Sequence, residues 1–210
     1  MNGISGGDPP AVPLGRMWGS GFEIRELFSQ ARLVLLKPSR YYRQMPRRGG
    51  IVEPLLYVVV MSAIAGGAVA TLHLLSQVVG VFAAGFAGVV FYPLLSVVSG
   101  FLLSGLLFLV WKLMGSPQNY ETAFRCWAAS TAIYPACALL SVLPYAGVMV
   151  SVGWTVVLMI EASVAVHSRG RPASRKVFGV LGVLVLVANL AVEYDSRQMM
   201  DFDGQELRGY

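Results

Sequence analysis

Between Ile51 and Val192 the chain carries five long stretches of apolar residues, and its basic residues gather on one side of them. A soluble fold cannot bury that much contiguous apolar surface, whereas a bilayer takes about 20 such residues per crossing helix. Composition agrees, since 56% of the 210 residues are hydrophobic and 13% charged, against about 45–50% and about 25% in soluble domains. The expected fold is therefore all-α, a polytopic transmembrane helical bundle. The net charge of +5 would point to nucleic acid in a soluble chain. Here it reads as retention of Lys and Arg on the cytoplasmic side, so the lipid bilayer is an expected partner and nucleic acid is not.

Residues 1–21 are rich in Gly and Pro and lack the apolar segment of a signal peptide, which predicts a flexible cytoplasmic tail. From Phe22 to Leu36, Ile24, Leu27, Phe28, Ala31, Val34 and Leu35 share one helical face. This helix is too charged to span and is expected to lie in the interface or on the bundle. Pro38 ends it, and Tyr41 and Tyr42 follow as rings suited to the headgroup layer. Residues 22–50 thus form an amphipathic, basic cytoplasmic region. Spans are predicted at 54–74, 93–114, 120–143, 145–166 and 177–192, and together they make a membrane domain over 51–192. An acidic external tail covers 193–210.

Residues 73–92 are uncharged and contain Gly80, Gly85 and Gly88. Counting them as a sixth span would put Arg169, Arg171, Arg175 and Lys176 outside, against the positive-inside bias. With five spans, all of the 16 basic residues except Arg197 and Arg208 are cytoplasmic. The stretch is then an outer hairpin, an interfacial helix or an extension of its neighbours.

Three pieces of sequence carry a resemblance. The first is Leu33-Val34-Leu35-Leu36-Lys37-Pro38-Ser39-Arg40-Tyr41-Tyr42, leading through Met45-Pro46 and Gly49-Gly50 to Pro54-Leu55. The second is Trp111-Lys112-Leu113-Met114-Gly115-Ser116 with Asn119-Tyr120-Glu121-Thr122-Ala123-Phe124-Arg125-Cys126. The third is Pro144-Tyr145-Ala146-Gly147, then Trp154 and Val166-His167. In this order, over about residues 32–190, they resemble the Yip family of five-span membrane proteins, in particular its prokaryotic members. The resemblance implies a cytoplasmic N-terminus, five spans and no catalytic activity. The Asp-Leu-Tyr-Gly-Pro run of many eukaryotic relatives is missing, so their link to Rab-type GTPases is not carried over.

Glu161 is the one acid deep in a predicted span, about 9 Å from the cytoplasmic boundary at ~1.5 Å per residue. It reads either as half of a structural ion pair or as part of an ion or proton pathway. Arg125 on the preceding span is the expected partner, with Lys112 as second choice. Small residues recur at four-residue spacing, Ser62, Gly66 and Ala70 on the first span and Ser96, Gly100 and Ser104 on the second. They are expected to pack helices within the bundle or to form a dimer seam. Pro135 should kink the third span.

Metal and cofactor chemistry find no support. Cys126 and Cys137, eleven positions apart on one predicted helix, would sit about 16 Å from one another, beyond the reach of a disulfide. His73 and His167 have no metal spacing, and Asp201-Phe202-Asp203-Gly204 lacks most of a calcium loop. No phosphate loop or nucleophile motif is present. The expected function is that of a non-catalytic scaffold or adaptor in a bacterial cytoplasmic (inner) membrane. It would use helix contacts, with itself as a homo-oligomer or with other membrane proteins, and its N-terminal region. The alternative is a small transporter or channel using Glu161 and the third span, although Asn189 and scattered hydroxyls are the only other intramembrane polar groups.

Overall fold

The computed structural model describes residues 24–75 and 81–206; the expected tail at 1–21 lies outside them. Among the described residues there are eight α-helices, one 3₁₀ turn and no strand. The helices are α1 (Ile24–Leu36), α2 (Pro38–Gln44), α3 (Val52–Leu75), α4 (Val81–Leu113), α5 (Tyr120–Ser130), α6 (Tyr134–Leu140), α7 (Ala146–Ala165) and α8 (Arg171–Glu206), and the 3₁₀ turn is Thr131–Ile133. Four stretches among the described residues are long and apolar enough to cross a membrane: Val52–Leu72, Val90–Leu113, Ala146–Ala165 and Arg171–Ser196.

Several boundaries differ from expectation. Pro93 lies inside α4 instead of starting it. The described parts of the ambiguous stretch continue α3 to Leu75 and begin α4 at Val81, so those parts extend its neighbours. The acidic segment after Val192 continues α8 to Glu206, and Asp201–Gly204 are helical rather than a calcium loop.

The largest departure is the third apolar segment, expected as one kinked helix over 120–143. It is α5, the 3₁₀ turn and α6 in succession. Ser130 Oγ donates to Trp127 O at 2.6 Å and Thr131 Oγ1 to Ala128 O at 2.7 Å, side-chain bonds that bend a helix. Pro135 then has no N–H to continue the ladder and takes a place in the first turn of α6, where none is needed. The expected kink at Pro135 is therefore a break.

α5 starts cleanly, with Asn119 Oδ1 accepting the Thr122 N–H at 3.0 Å and Glu121 in its positively polarised first turn. Every residue from Thr122 to Ile133 is buried. Around this inner strut, α3 packs on α4, α7 on α8, and α3 runs along α5 and α6, while α1 closes over α5 and the 3₁₀ turn. Leu27, Ala31 and Val34 of α1 are buried. Phe28, expected on the same apolar face, points outward at 55% exposure. Leu27 and Phe28 are adjacent, so about 100° of helical rotation separates them. The buried face is the narrower stripe.

Both small-residue stripes turn inward over most of their length, with Ser62, Gly66, Ser96, Gly100 and Ser104 buried and Ala70 half-buried. Gly100 faces the Trp127 indole so closely that an added Cβ would collide with its ring, and Ser104 Oγ bonds the Tyr120 hydroxyl at 2.8 Å. Trp127 is itself 4% exposed and has no room to swing away. Gly100→Ala should therefore lower stability by about 1–3 kcal/mol, the usual cost of overpacking. Gly67→Ala, with open space around its Cβ, should not. Thermal melts in one detergent would compare the two, and equal melting temperatures would rule out the Gly100–Trp127 fit.

Candidate functional site

The polar residues of the bundle concentrate at one end, where α1 and α2, the 45–51 loop, the 114–119 loop and the 166–170 turn come together. Glu161 is at the centre. Its carboxylate is held through both oxygens by the Arg171 guanidinium, Nη1 on Oε1 and Nη2 on Oε2, the latter at 2.9 Å. Ser39 Oγ on α2 donates to Oε2 at 2.5 Å. Planar two-point binding of this kind is the characteristic strength of arginine over lysine.

The expected partner, Arg125, does not reach Glu161. It is buried, and its Nη2 donates to Gly50 O at 2.7 Å. Its Nε lies 3.4 Å from Glu121 and its Nη1 3.9 Å from Glu53. The same Glu121 carboxylate accepts the Gly50 N–H at 2.8 Å, and Thr122 Oγ1 donates to Arg47 O at 3.1 Å. Arg125 thus pins the 45–51 loop to α5. Lys112, the second choice, is exposed, with Nζ 5.4 Å from the centroid of the Phe108 ring.

The chain reaches this pairing by a tight reversal. Ser168 takes a positive φ of 56° after α7, and α8 then runs back antiparallel from Arg171. Gly115, at φ +85°, similarly ends α4, where the Gly115 and Ser116 N–H groups bond back to Lys112 O and Trp111 O at 2.8 Å each. This is the left-handed cap that glycine supplies most easily. Arg169 Nη1 donates to Met114 O at 2.9 Å, placing a cation at the negative end of α4.

Between these caps lies a cluster that sequence reasoning missed. The His167 ring stacks on Trp111 with centroids 3.8 Å apart, and its Nδ1 shares a 2.7 Å hydrogen bond with Ser116 Oγ. Trp111 Nε1 donates to Ser163 Oγ at 2.8 Å, and Cys126 Sγ lies 3.9 Å from His167 Nε2. Burial, reinforced by the nearby Arg47, Arg169 and Lys112 cations, pushes His167 down to about 3, so the ring is neutral near pH 7. A Ser-His-Cys grouping resembles catalytic machinery in composition alone, because His167 is 1% and Cys126 0% exposed. No substrate can reach it as it stands. The sequence signal was the position of His167 just past a span end, together with a tryptophan near the end of the second span.

Tyr41 and Tyr42, expected at headgroup level, are buried edge to face with centroids 5.2 Å apart, and burial pushes both phenols up. Gln30 Nε2 donates to the Tyr41 hydroxyl at 3.0 Å, and the Tyr42 hydroxyl to Cys126 O at 3.3 Å. Among the described residues no group of three His, Cys, Asp or Glu side chains forms a metal site. The side chain of His73 lies outside the described residues.

If one charge pair joins α7 to α8, Glu161→Ala and Arg171→Ala should each lower the melting temperature, and the double variant should lose clearly less than their sum. Arg125→Ala should be additive with Glu161→Ala and cost of the order of 3 kcal/mol, the loss expected when one partner leaves a buried pair. A double-mutant cycle on melting temperature reads both, and coupling of Glu161 to Arg125 instead of Arg171 would overturn the assignment.

A profile of the Yip1 domain matches residues 32–192. Comparisons with curated proteins and with solved structures gave no match. The matched stretch begins within α1, takes in the whole arginine-rich end and reaches far along α8, and on that ground the chain belongs to the Yip1-domain family of membrane proteins.

Proposed function

We propose that the chain is a non-catalytic scaffold or adaptor of a bacterial cytoplasmic membrane, crossing five times with its N-terminus inside and its C-terminus outside. The observation that carries the adaptor reading is the disposition of the polar groups. Glu161, Arg125, Thr122 and Cys126 bond to α2 or to the 45–51 loop, so they fasten the N-terminal layer to the bundle. The layer then presents an outward stripe of Arg25, Phe28, Arg32 and Leu36, a mixed basic and apolar surface suited to a protein partner.

Connectivity supports the fifth crossing. α4 and α7 end together, since Arg169 reaches Met114 O and His167 bonds Ser116. The chain between them must therefore travel to the opposite end before α7 begins, and α5 to α6 makes that journey. From Tyr120 to Leu140 it spans about 30 Å at helical rise, the thickness of a hydrocarbon core. The positive-inside bias supports the orientation, with the arginine-rich end at the cytoplasmic side.

A transporter or channel would need Glu161 on a route. That carboxylate is engaged by Arg171 and Ser39, and it lines neither the cavity beside Arg125 nor the one beside Glu193. Liposomes containing the protein should show no ion or solute flux above empty vesicles. Reproducible flux that disappears in Glu161→Gln would establish the transport alternative and sink the scaffold reading.

For the topology, a cysteine at Ala173, exposed at the start of α8, in a chain with Cys126 and Cys137 replaced, should react with an impermeant maleimide only after the cells are opened. Labelling in intact cells would reverse the orientation.

A further inference from the structure

We propose that the small cavity between the N-terminal layer and the bundle is an ordered-water site, through which α1 and α2 are hydrogen-bonded to α3 and α5. Its polar wall comes from four helices: Gln30 of α1, Tyr41 of α2, Glu53 and Tyr57 of α3, and Arg125 of α5. The cavity measures about 30 Å³. A single water needs roughly 10–15 Å³. The space therefore admits water but not a drug-sized ligand, which takes about 300–1,000 Å³.

Two groups on this wall need a partner that the surrounding helices do not give them. The Tyr57 hydroxyl and Gln30 Oε1 are buried, and among the described residues neither has a hydrogen-bond partner. Tyr57 is 1% exposed, so bulk solvent does not serve it either. An orphaned polar group at this depth is costly, and most such groups in folded proteins pair with protein or with ordered water. Exchanging the oxygen and nitrogen of the Gln30 amide does not remove the need. One end meets the Tyr41 hydroxyl at 3.0 Å, and the other is left over. Beside them, Arg125 Nη1 stands 3.9 Å from Glu53 Oε2. That is too long for a direct hydrogen bond and short enough for one water to touch both.

The composition of the wall selects water over an ion. Gln30 Oε1 and the Glu53 carboxylate accept, Arg125 Nη1 donates, and the two phenol hydroxyls do either. A bare cation in the cavity would meet the Arg125 guanidinium, and an anion would meet the Glu53 carboxylate. Water donates to the acceptors and accepts from the donors, and this wall offers it the roughly three bonds typical of a buried water. The inference concerns how the N-terminal layer is fastened, and it stands whether or not that layer recruits a partner.

The test uses the full chain in detergent and X-ray radiolytic labelling, in which hydroxyl radicals formed from nearby water oxidise side chains. Tyr42 is the internal control, because it is also 1% exposed and its hydroxyl donates to Cys126 O instead of lining the cavity. Tyr57 should be oxidised several-fold more than Tyr42, and mixing with heavy-oxygen water should show that its label exchanges slowly. Equal oxidation of the two tyrosines would overturn the site. Tyr57→Phe gives a check whose sign decides. If the hydroxyl bonds water, its loss strips that water of a partner and should lower the melting temperature. In a dry cavity the same change removes an orphaned polar group and should raise it. A raised or unchanged melting temperature would therefore overturn the proposal. So would a wild-type melting temperature higher in sodium chloride than in N-methylglucamine chloride at equal ionic strength, with the response lost in Tyr57→Phe, since that would assign the cavity to a cation.

Discussion

A carboxylate buried near the end of a membrane helix is costly to keep ionised unless something meets it, because burial strips away most of its hydration. In this chain the requirement falls on Glu161, and the response organises one end of the molecule. Arg171 meets both oxygens, which requires the chain to reverse within the few residues after α7 and sends α8 back along it. Ser39 meets Oε2 as well, which brings α2 onto the same two helices. Three elements, one of them bonded from 122 positions away in sequence, are thereby placed by one charge. Arg171 retains a 43% exposed side chain, so the pair is anchored on a cation that stays partly hydrated. That lowers the penalty which two fully buried ions would incur.

The second constraint is steric. α5 is buried from Thr122 to Ser130, and its sequence makes this possible with the small Ala123, Ala128 and Ala129 flanking the larger Phe124 and Trp127. Small residues allow the surrounding helices to approach, and each large ring needs a matching recess. Gly100 supplies that recess for Trp127, while Phe124 stacks on Phe101 with centroids 5.0 Å apart. Lipid gives little driving force for helix association, so such fits and interhelical hydrogen bonds must supply it. The bond between Trp111 and Ser163 and that between Ser116 and His167 link α4 and its cap to α7 and its following turn in this way.

The apolar stretches and the segregation of charge were legible in the sequence because they are local or periodic quantities. The crossing helices, the cap at Asn119 and the inward stripes at Gly66 and Gly100 all rest on such signals. What failed depended on tertiary choice. Depth arithmetic put Arg125 and Glu161 at similar levels on neighbouring segments, but depth does not fix rotation about a helix axis. Arg125 also had nearer claims from Glu121, four residues earlier, and from Gly50 and Glu53 at the entry to α3. Glu161 and Arg171 lie only ten positions apart across the α7–α8 turn, a pairing that the same arithmetic allows as readily as one with a neighbouring span. Phe28 turns away from the bundle because an apolar residue at a face boundary can turn either way. The break before Pro135 needed knowledge that Ser130 and Thr131 would spend their hydroxyls on the helix carbonyls.

The two ends of the bundle differ in how their polar groups are held. At the arginine-rich end the polar groups are tied to one another, and the 45–51 loop is held by Arg125 and Thr122 of the buried strut. The N-terminal layer therefore inherits its position from the most enclosed element of the fold. A surface held in this way loses little conformational freedom when a partner docks, so more of the contact energy remains as affinity. At the other end the turn from α6 to α7 leaves acceptors around an open cavity instead of closing over them. A face held this firmly is what the proposed adaptor role requires of the basic end.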